Sequence, residues 1–166
     1  LRPWISYTYM DAEYVDFKNH GKSSTGSDTV LANYSNNKVA AVAPNMLNIG
    51  LDLATRPGFY LFGTFQYMDK VPVTFDNSTY MKSYSMLRAR VGYKRQLNNH
   101  FSADIFAGAD NILGSTYYSF IFVGQNIQEL AQGSDKYVKG GGGDGYILPG
   151  VYNATFYGGV SVNYKF

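Results

Sequence analysis

The sequence predicts an all-β fold, a run of about six antiparallel strands forming a transmembrane β-barrel segment. Three observations carry that expectation. Apolar residues recur at every second position through most of the chain, 17% of residues are aromatic against only 16% charged, and long connections alternate with short ones. A membrane helix would need a run of about 18 apolar residues. The longest runs here are short ones such as VAAVA and FIFV, so any crossing must be made by strands of about ten alternating residues separated by turns.

The first segment, RPWISYTYMDAEYV, sets Ile5, Tyr7 and Tyr9 against Ser6, Thr8 and Met10. The second, MLNIGLDLAT, alternates most cleanly, with Leu47, Ile49, Leu51 and Leu53 on one side and Asn48, Gly50, Asp52 and Ala54 on the other. After Arg56-Pro57-Gly58 comes FYLFGTFQYMDKV, where Phe59, Leu61, Phe65 and Tyr67 oppose a mixed face of Tyr60, Phe62, Thr64, Gln66 and Met68. The fourth, SYSMLRARVGYKRQL, places Leu87, Ala89, Val91 and Tyr93 opposite Arg88, Arg90, Gly92 and Lys94. FSADIFAGADNIL follows, with Phe101, Ala103, Ile105, Ala107 and Ala109 against Ser102, Asp104, Phe106, Gly108 and Asp110. The sixth, ATFYGGVSVNYKF, has Phe156, Val160, Val162, Tyr164 and Phe166 on one parity and Thr155, Ser161, Asn163 and Lys165 on the other. A period of two with abundant β-branched and aromatic residues favours strand over helix in all six.

The expected connections are residues 19–45, 56–58, 75–83, 98–100 and 115–153. Long and short alternate strictly, as in outer-membrane barrels, whose periplasmic turns are short and external loops long. The last strand then runs inward and ends at the periplasm. In that orientation the apolar-face aromatics should sort into two belts, Phe59, Tyr93, Phe101, Tyr164 and Phe166 beside the short turns and Tyr9, Phe65, Tyr67 and Phe156 toward the long loops. Six strands do not close, because the smallest single-chain barrel has about eight and an open edge in hydrocarbon leaves backbone groups unpaired. The start LRPWISYTYM has neither an initiator Met nor a signal-like run, so the chain is expected to be part of a larger barrel.

The stretch VGYKRQLNNHFSADIFAGADNILGSTYYS, with the closing YGGVSVNYKF, resembles the C-terminal end of TonB-dependent outer-membrane receptors. In that family a Gly-Tyr strand, a turn, a strand ending in an Asn-Leu pair followed by Tyr, and a terminal aromatic recur in this order. Here the pair is expanded by one residue to Asn111-Ile112-Leu113, with Tyr117 and Tyr118 after it. DAEYVDF and PNMLNIGLDLATRPGFYLFGTFQY also look like barrel strands of the family, so the likeness covers nearly the whole chain. It implies that residues 1–166 are the last six strands of a 22-stranded barrel, with the plug domain and the remaining strands outside this chain. It further implies a place in the bacterial outer membrane, contact with outer-membrane lipid, and coupling to the TonB complex through the N-terminal plug region. The implied function is active uptake of a scarce ligand, a ferric siderophore or other iron complex first among them.

Val162, Tyr164 and Phe166 resemble the C-terminal signal read by the barrel-assembly machinery, and they suit an interfacial belt equally well. Arg88, Arg90 and Lys94 should face the lumen. There they either hold an acidic plug or anionic ligand or, the simpler and preferred reading, pack against the plug or solvate the wall, pairing with Asp52, Asp104 and Asp110 across strands. The last long loop carries Tyr117, Tyr118, Phe120, Phe122, Tyr137 and Tyr146. These could cover a planar or catecholate ligand, with Gly140 to Gly143 allowing motion; a flexible cap packed partly into the vestibule is the plainer reading.

No metal or cofactor is expected, since there is no cysteine, His20 and His100 stand alone in a loop and a turn, and the calcium-like GGGGDG occurs once. A net charge of +2 spread along the chain gives no footprint for nucleic acid. An enzyme is not expected either, because neither histidine lies on an expected strand beside a nucleophile. The competing reading is a structural or adhesive outer-membrane barrel in which several copies each contribute strands.

Overall fold

In the computed structural model, residues 1–22, 28–123, 127–129, 145–151 and 153–165 are described. Among them there is no helix. The strands are β1 (Arg2–Tyr9), β2 (Lys18–Lys22), β3 (Asp28–Asn33), β4 (Asn45–Ala54), β5 (Phe59–Met68), β6 (Val71–Pro72) and β7 (Tyr80–Met81). They continue with β8 (Tyr84–Gln96), β9 (Phe101–Asp110), β10 (Tyr118–Phe122), β11 (Ile127–Glu129), β12 (Gly145–Pro149) and β13 (Thr155–Tyr164). The six expected segments form one antiparallel sheet in the order β1-β4-β5-β8-β9-β13. Each long strand pairs with the next in sequence, so the sheet is a simple meander with β1 and β13 at its edges.

Boundaries moved where side chains redirect the backbone. β1 stops at Tyr9 rather than running to Val15, and beyond it Asp11 and Glu13 each pair with Lys38 Nζ at 2.6 Å. β5 stops at Met68, where Asp69 accepts from Asn45 Nδ2 at 2.8 Å and from the Lys70 N–H at 2.8 Å. β9 stops at Asp110 because Asn111 takes a positive φ of 50°. The long connections are also less bare than expected. They hold the hairpins β2-β3 and β6-β7 and the small sheet β10-β12-β11, and His20, expected in a loop, lies on β2 opposite Val30.

The short turns have definite causes. Thr55 N–H donates to Phe59 O at 2.8 Å, and the turn closes through Gly58 at φ 108°, where an added Cβ would meet the Lys94 carbonyl oxygen at 2.0 Å. In the second, Asn98 Oδ1 accepts from the N–H groups of His100 and Phe101 at 2.9 and 2.8 Å, an Asx turn that reverses the chain without glycine.

Register keeps the two faces separate over all six strands. One row runs Pro3, Leu51, Gly63, Ala89, Ala109, Phe156, and the next parity runs Arg2, Asp52, Phe62, Arg90, Gly108, Tyr157. The apolar face has no second layer over it among the described residues. Ile5, Ile105 and Val160 are 70%, 56% and 69% exposed. A sheet in water ordinarily buries its apolar face against another layer, and here the buried cluster lies elsewhere. Ala43, Val71, Val73, Met81 and Ile147, backed by Met46, Met68, Tyr84, Tyr118 and Ile121, pack where the long connections gather at one end of the sheet.

The strands are also sheared. The first row starts one residue from the short-turn end of β1 and finishes one residue from the long-connection end of β13. Strand midpoints slide by about six residues over the five steps, which at about 3.3 Å per residue and 4.8 Å per strand is a tilt of roughly 40°. β4, β5, β9 and β13 are each 10 residues long. Tilted this way, such a strand rises about 25 Å, the height of the apolar band on outer-membrane barrels.

Candidate functional site

Two surfaces carry polar chemistry, the polar face of the large sheet and the body built by the long connections. On the polar face, four aromatic rings lie over glycines of the neighbouring strand. Trp4 covers Gly50, Tyr60 covers Gly92, Phe106 covers Gly159 and Tyr157 covers Gly108, each pair in direct cross-strand register. A Cβ built on any of these glycines would approach the ring within 2.0–2.8 Å, so the missing side chain is what lets the ring lie down.

Arg90 sits in this pavement. Its guanidinium is 3.8 Å from the Phe106 ring centroid and 5.9 Å from that of Tyr60, and Nη2 reaches the Tyr60 hydroxyl at 3.4 Å. The Tyr60 O–H donates to Asp104 Oδ1 at 2.9 Å. Arg90 Nε is buried without a hydrogen-bond partner, so the side chain is held mainly by ring faces. Arg88 lies 3.8 Å from Asp110, both about half exposed, a pairing that contributes little to stability. Asp52 is taken by Arg2, whose Nε and Nη2 lie 3.2 and 3.0 Å from Oδ2. Lys94 stands opposite Asp104 in register and is exposed. Cross-strand pairing of Arg88, Arg90 and Lys94 with the three aspartates therefore appears in different form: one direct ion pair, one relay through a phenol, and an aspartate engaged by an arginine outside the trio.

No protein-family model matches the chain, and no curated protein sequence matches it.

The long connections are fastened to each other. Asn77 exchanges two hydrogen bonds with the Lys38 backbone, accepting its N–H at Oδ1 (2.7 Å) and donating from Nδ2 to its carbonyl (2.9 Å). Asn37 Nδ2 donates to Phe75 O at 2.8 Å. Tyr14, Phe17, Tyr34 and Phe75 close around this seam, with Phe17 and Phe75 centroids 5.0 Å apart at 80°. Beside it lies a cleft of about 280 Å³ reached by Tyr9, Lys38, Pro44, Lys70 and Tyr80, with Lys70 Nζ 5.2 Å from the Tyr80 ring centroid.

The aromatics expected to cover a ligand divide into different environments. Tyr117 lies over Gly150 and 6.0 Å from the Tyr84 ring, and Tyr118 packs on the buried cluster. Phe120 and Phe122 are exposed on β10. Tyr146 lies on β12, where its backbone pairs with Phe122 and Gln128. Tyr137 and Gly140 to Gly143 lie outside the described residues. In the terminal set, Val162 and Tyr164 are exposed on the apolar face of the edge strand β13. Tyr164 packs 5.0 Å from Phe101 and stacks 5.7 Å from His100. Lys165 N–H donates to His100 O at 2.7 Å, binding the end of β13 to the β8-β9 turn. Phe166 lies outside the described residues.

The sequence reading did not single out the ring-on-glycine pairs or Asn37 and Asn77. A signal for the pairs was present, since Gly50, Gly92, Gly108 and Gly159 all fall on the polar parity, but it becomes specific only once the register sets each opposite an aromatic.

Two carboxylates in the second long connection make it sensitive to acid. Hydrogen bonds from Asn45 first, then from the Lys70 N–H and Tyr67 hydroxyl, hold the Asp69 carboxyl below its ordinary range. Thr74 and then Ser78 do the same for Asp76. A carboxylate depressed in the folded state contributes stability above its unfolded pKa of about 4 and loses it as pH falls through the lower folded value. Amide protection factors over residues 69–83, with intrinsic exchange divided out, should therefore fall below about pH 4, and Asp69→Asn should flatten that response. An acid response identical in wild type and variant would show that Asp69 does not link protonation to this connection.

Proposed function

We propose that the chain is the C-terminal wall of a TonB-dependent outer-membrane transporter that takes up a scarce ligand, a ferric siderophore or other iron complex first among them. The observation that carries the membrane part is the uncovered apolar face running through six paired strands. Contiguous apolar surface on this scale marks an interaction site, and alternating strands of this length and tilt match the lipid-facing wall of a barrel. The rings support the same placement. Phe59 and Tyr93 (4.6 Å) and Phe101 and Tyr164 sit by the short turns, and Tyr7 and Tyr67 sit by the long connections with hydroxyls on Asn45 and Asp69.

In this reading the long connections face outside and the pavement around Arg90 faces the lumen. The edges of β1 and β13 pair with the remaining barrel strands, because unpaired edges are too costly in lipid. The uptake part rests on the resemblance of residues 91–119 and 157–166 to the receptor family. It is tested by deleting the gene and following radioactive iron supplied as siderophore complexes. Uptake of at least one complex should fall to the level of a strain lacking TonB, and uptake unchanged by the deletion across the complexes tried would sink the iron assignment. Intact mass under denaturing conditions separates the competing design: one large polypeptide carrying all the strands fits a receptor, whereas repeated small copies would replace it with an oligomeric structural or adhesive barrel.

A further inference from the structure

We infer that the rim between the β7-β8 junction and the start of the last long connection binds the phosphorylated sugar headgroup of an outer-leaflet lipid. This inference rests on the reading of the chain as an outer-membrane wall. The cleft there holds about 430 Å³, enough for one phosphorylated pyranose ring. Its position follows from register. Tyr67 and Ser85, cross-strand partners on the apolar face, line it on one side, and Tyr84 and Tyr118, which pack on the buried cluster, line it on the other. The next row on that face is Phe65 and Leu87, with Ile49 beside Phe65. The cleft thus sits where hydrocarbon gives way to headgroups, with an apolar wall continuing directly below it for acyl chains.

The lining is unlike the rest of that face. Ser83, Ser85, Ser115 and Thr116, four residues with aliphatic hydroxyls, line one cleft together with Lys82. Hydroxyls both donate and accept, which suits sugar hydroxyls and phosphate oxygens together, and a lysine at the surface is a mobile point charge for phosphate. Lys82 is exposed and makes no ion pair among the described residues. The carboxylate reached from this cleft through the Tyr67 hydroxyl, that of Asp69, is already held by Asn45 and the Lys70 N–H. A free sugar phosphate would use the hydroxyls and Lys82 but leave the adjoining apolar wall idle. That continuity selects a lipid.

The test is native mass spectrometry of the full-length protein in detergent, titrated with bisphosphorylated lipid A, with its dephosphorylated form, and with glucosamine 1-phosphate. Lipid A should bind more tightly than either of the others. Lys82→Gln should weaken lipid A about fivefold, the contribution of one near-surface cation to an anionic headgroup. Thr116→Val, a second exposed position, should weaken it without touching Lys82. Equal lipid A binding by wild type and Lys82→Gln, or no preference for the phosphorylated lipid, overturns the inference. Heat-modifiable migration in gels is read on the same samples: a protein that inserts as a barrel yet shows no headgroup preference refutes this site alone, while one that never inserts refutes the membrane reading beneath it.

Discussion

If the apolar face meets lipid as proposed, Ile105→Arg should destabilise the protein by about 2–4 kcal/mol, the cost of an arginine at the lipid-facing midplane of a β-barrel. Ile105 lies at the middle of β9, is 56% exposed, and has Tyr93 and Val160 as its cross-strand neighbours. Ser102→Arg, on the opposite parity of the same strand beside Gln96 and Asn163, should stay within about 0.5 kcal/mol of wild type, as exposed polar positions usually do. The pair is read by denaturant unfolding of the full-length protein in phospholipid vesicles. The contrast decides between two environments for one surface. If water bathed the apolar face, an arginine at 105 would be close to neutral and would improve solubility. A difference between the variants of less than about 1 kcal/mol would therefore remove the physical basis of the transporter reading.

The large sheet was legible because the long strands keep a period of two on their apolar parity. In β4 the side chains of Leu47, Ile49, Leu51 and Leu53 admit only one face, and a one-residue slip would carry all of them to the polar side. The alternation of connections was legible for the same reason, since loops were simply what interrupted the period. What escaped lies where that period is absent. Val71-Pro72 and Tyr80-Met81 are too short to show alternation, yet they pair because Val71, Val73 and Met81 bury together. Tyr118 looked like a ligand-covering aromatic because a sequence gives no means of separating a ring packed on a loop core from the exposed rings of Phe120 and Phe122. The seam between the first two long connections depends on Asn77 meeting Lys38 across 39 positions, which no local pattern encodes.

That seam changes what the long-connection end of the sheet can do. Loops that share hydrogen bonds, an aromatic cluster and a buried cluster form a preorganised surface rather than independent flaps. Any ligand meeting this end of the sheet binds at a lower cost in chain ordering than it would on free loops. Asn111 is one of the described residues that anchor the longest connection to the sheet.

Asn111→Ala should cost about 4 kcal/mol and loosen the base of the last long connection while leaving the six-stranded sheet intact. Asn111 is 5% exposed and holds φ at 50°, a conformation that asparagine tolerates and alanine does not favour. Its Nδ2 donates to Ser115 O and to Val151 O, both at 3.0 Å, and its Oδ1 accepts the Ser115 N–H at 3.0 Å. One side chain therefore joins the outgoing strand β9 to residues on both arms of the loop, and Val151 lies just before β13 begins. Alanine removes all three bonds and leaves the Ser115 N–H without that acceptor, at about 1 kcal/mol or more each, plus about 1 kcal/mol for the left-handed backbone. Asn111→Asp separates the contributions: it tolerates the same backbone and keeps the acceptor for Ser115, but sets a carboxylate oxygen against two carbonyls. Aspartate should thus fall at or below alanine if the two donated bonds dominate, and between wild type and alanine if backbone conformation does. Limited proteolysis should find cleavage of residues 111–154 accelerated in the alanine variant, with the 55–58 and 97–100 turns still resistant. Cleavage spreading to those turns would show that Asn111 supports the sheet itself, and unchanged cleavage would show that the loop base is held by the buried cluster around Ile147 instead.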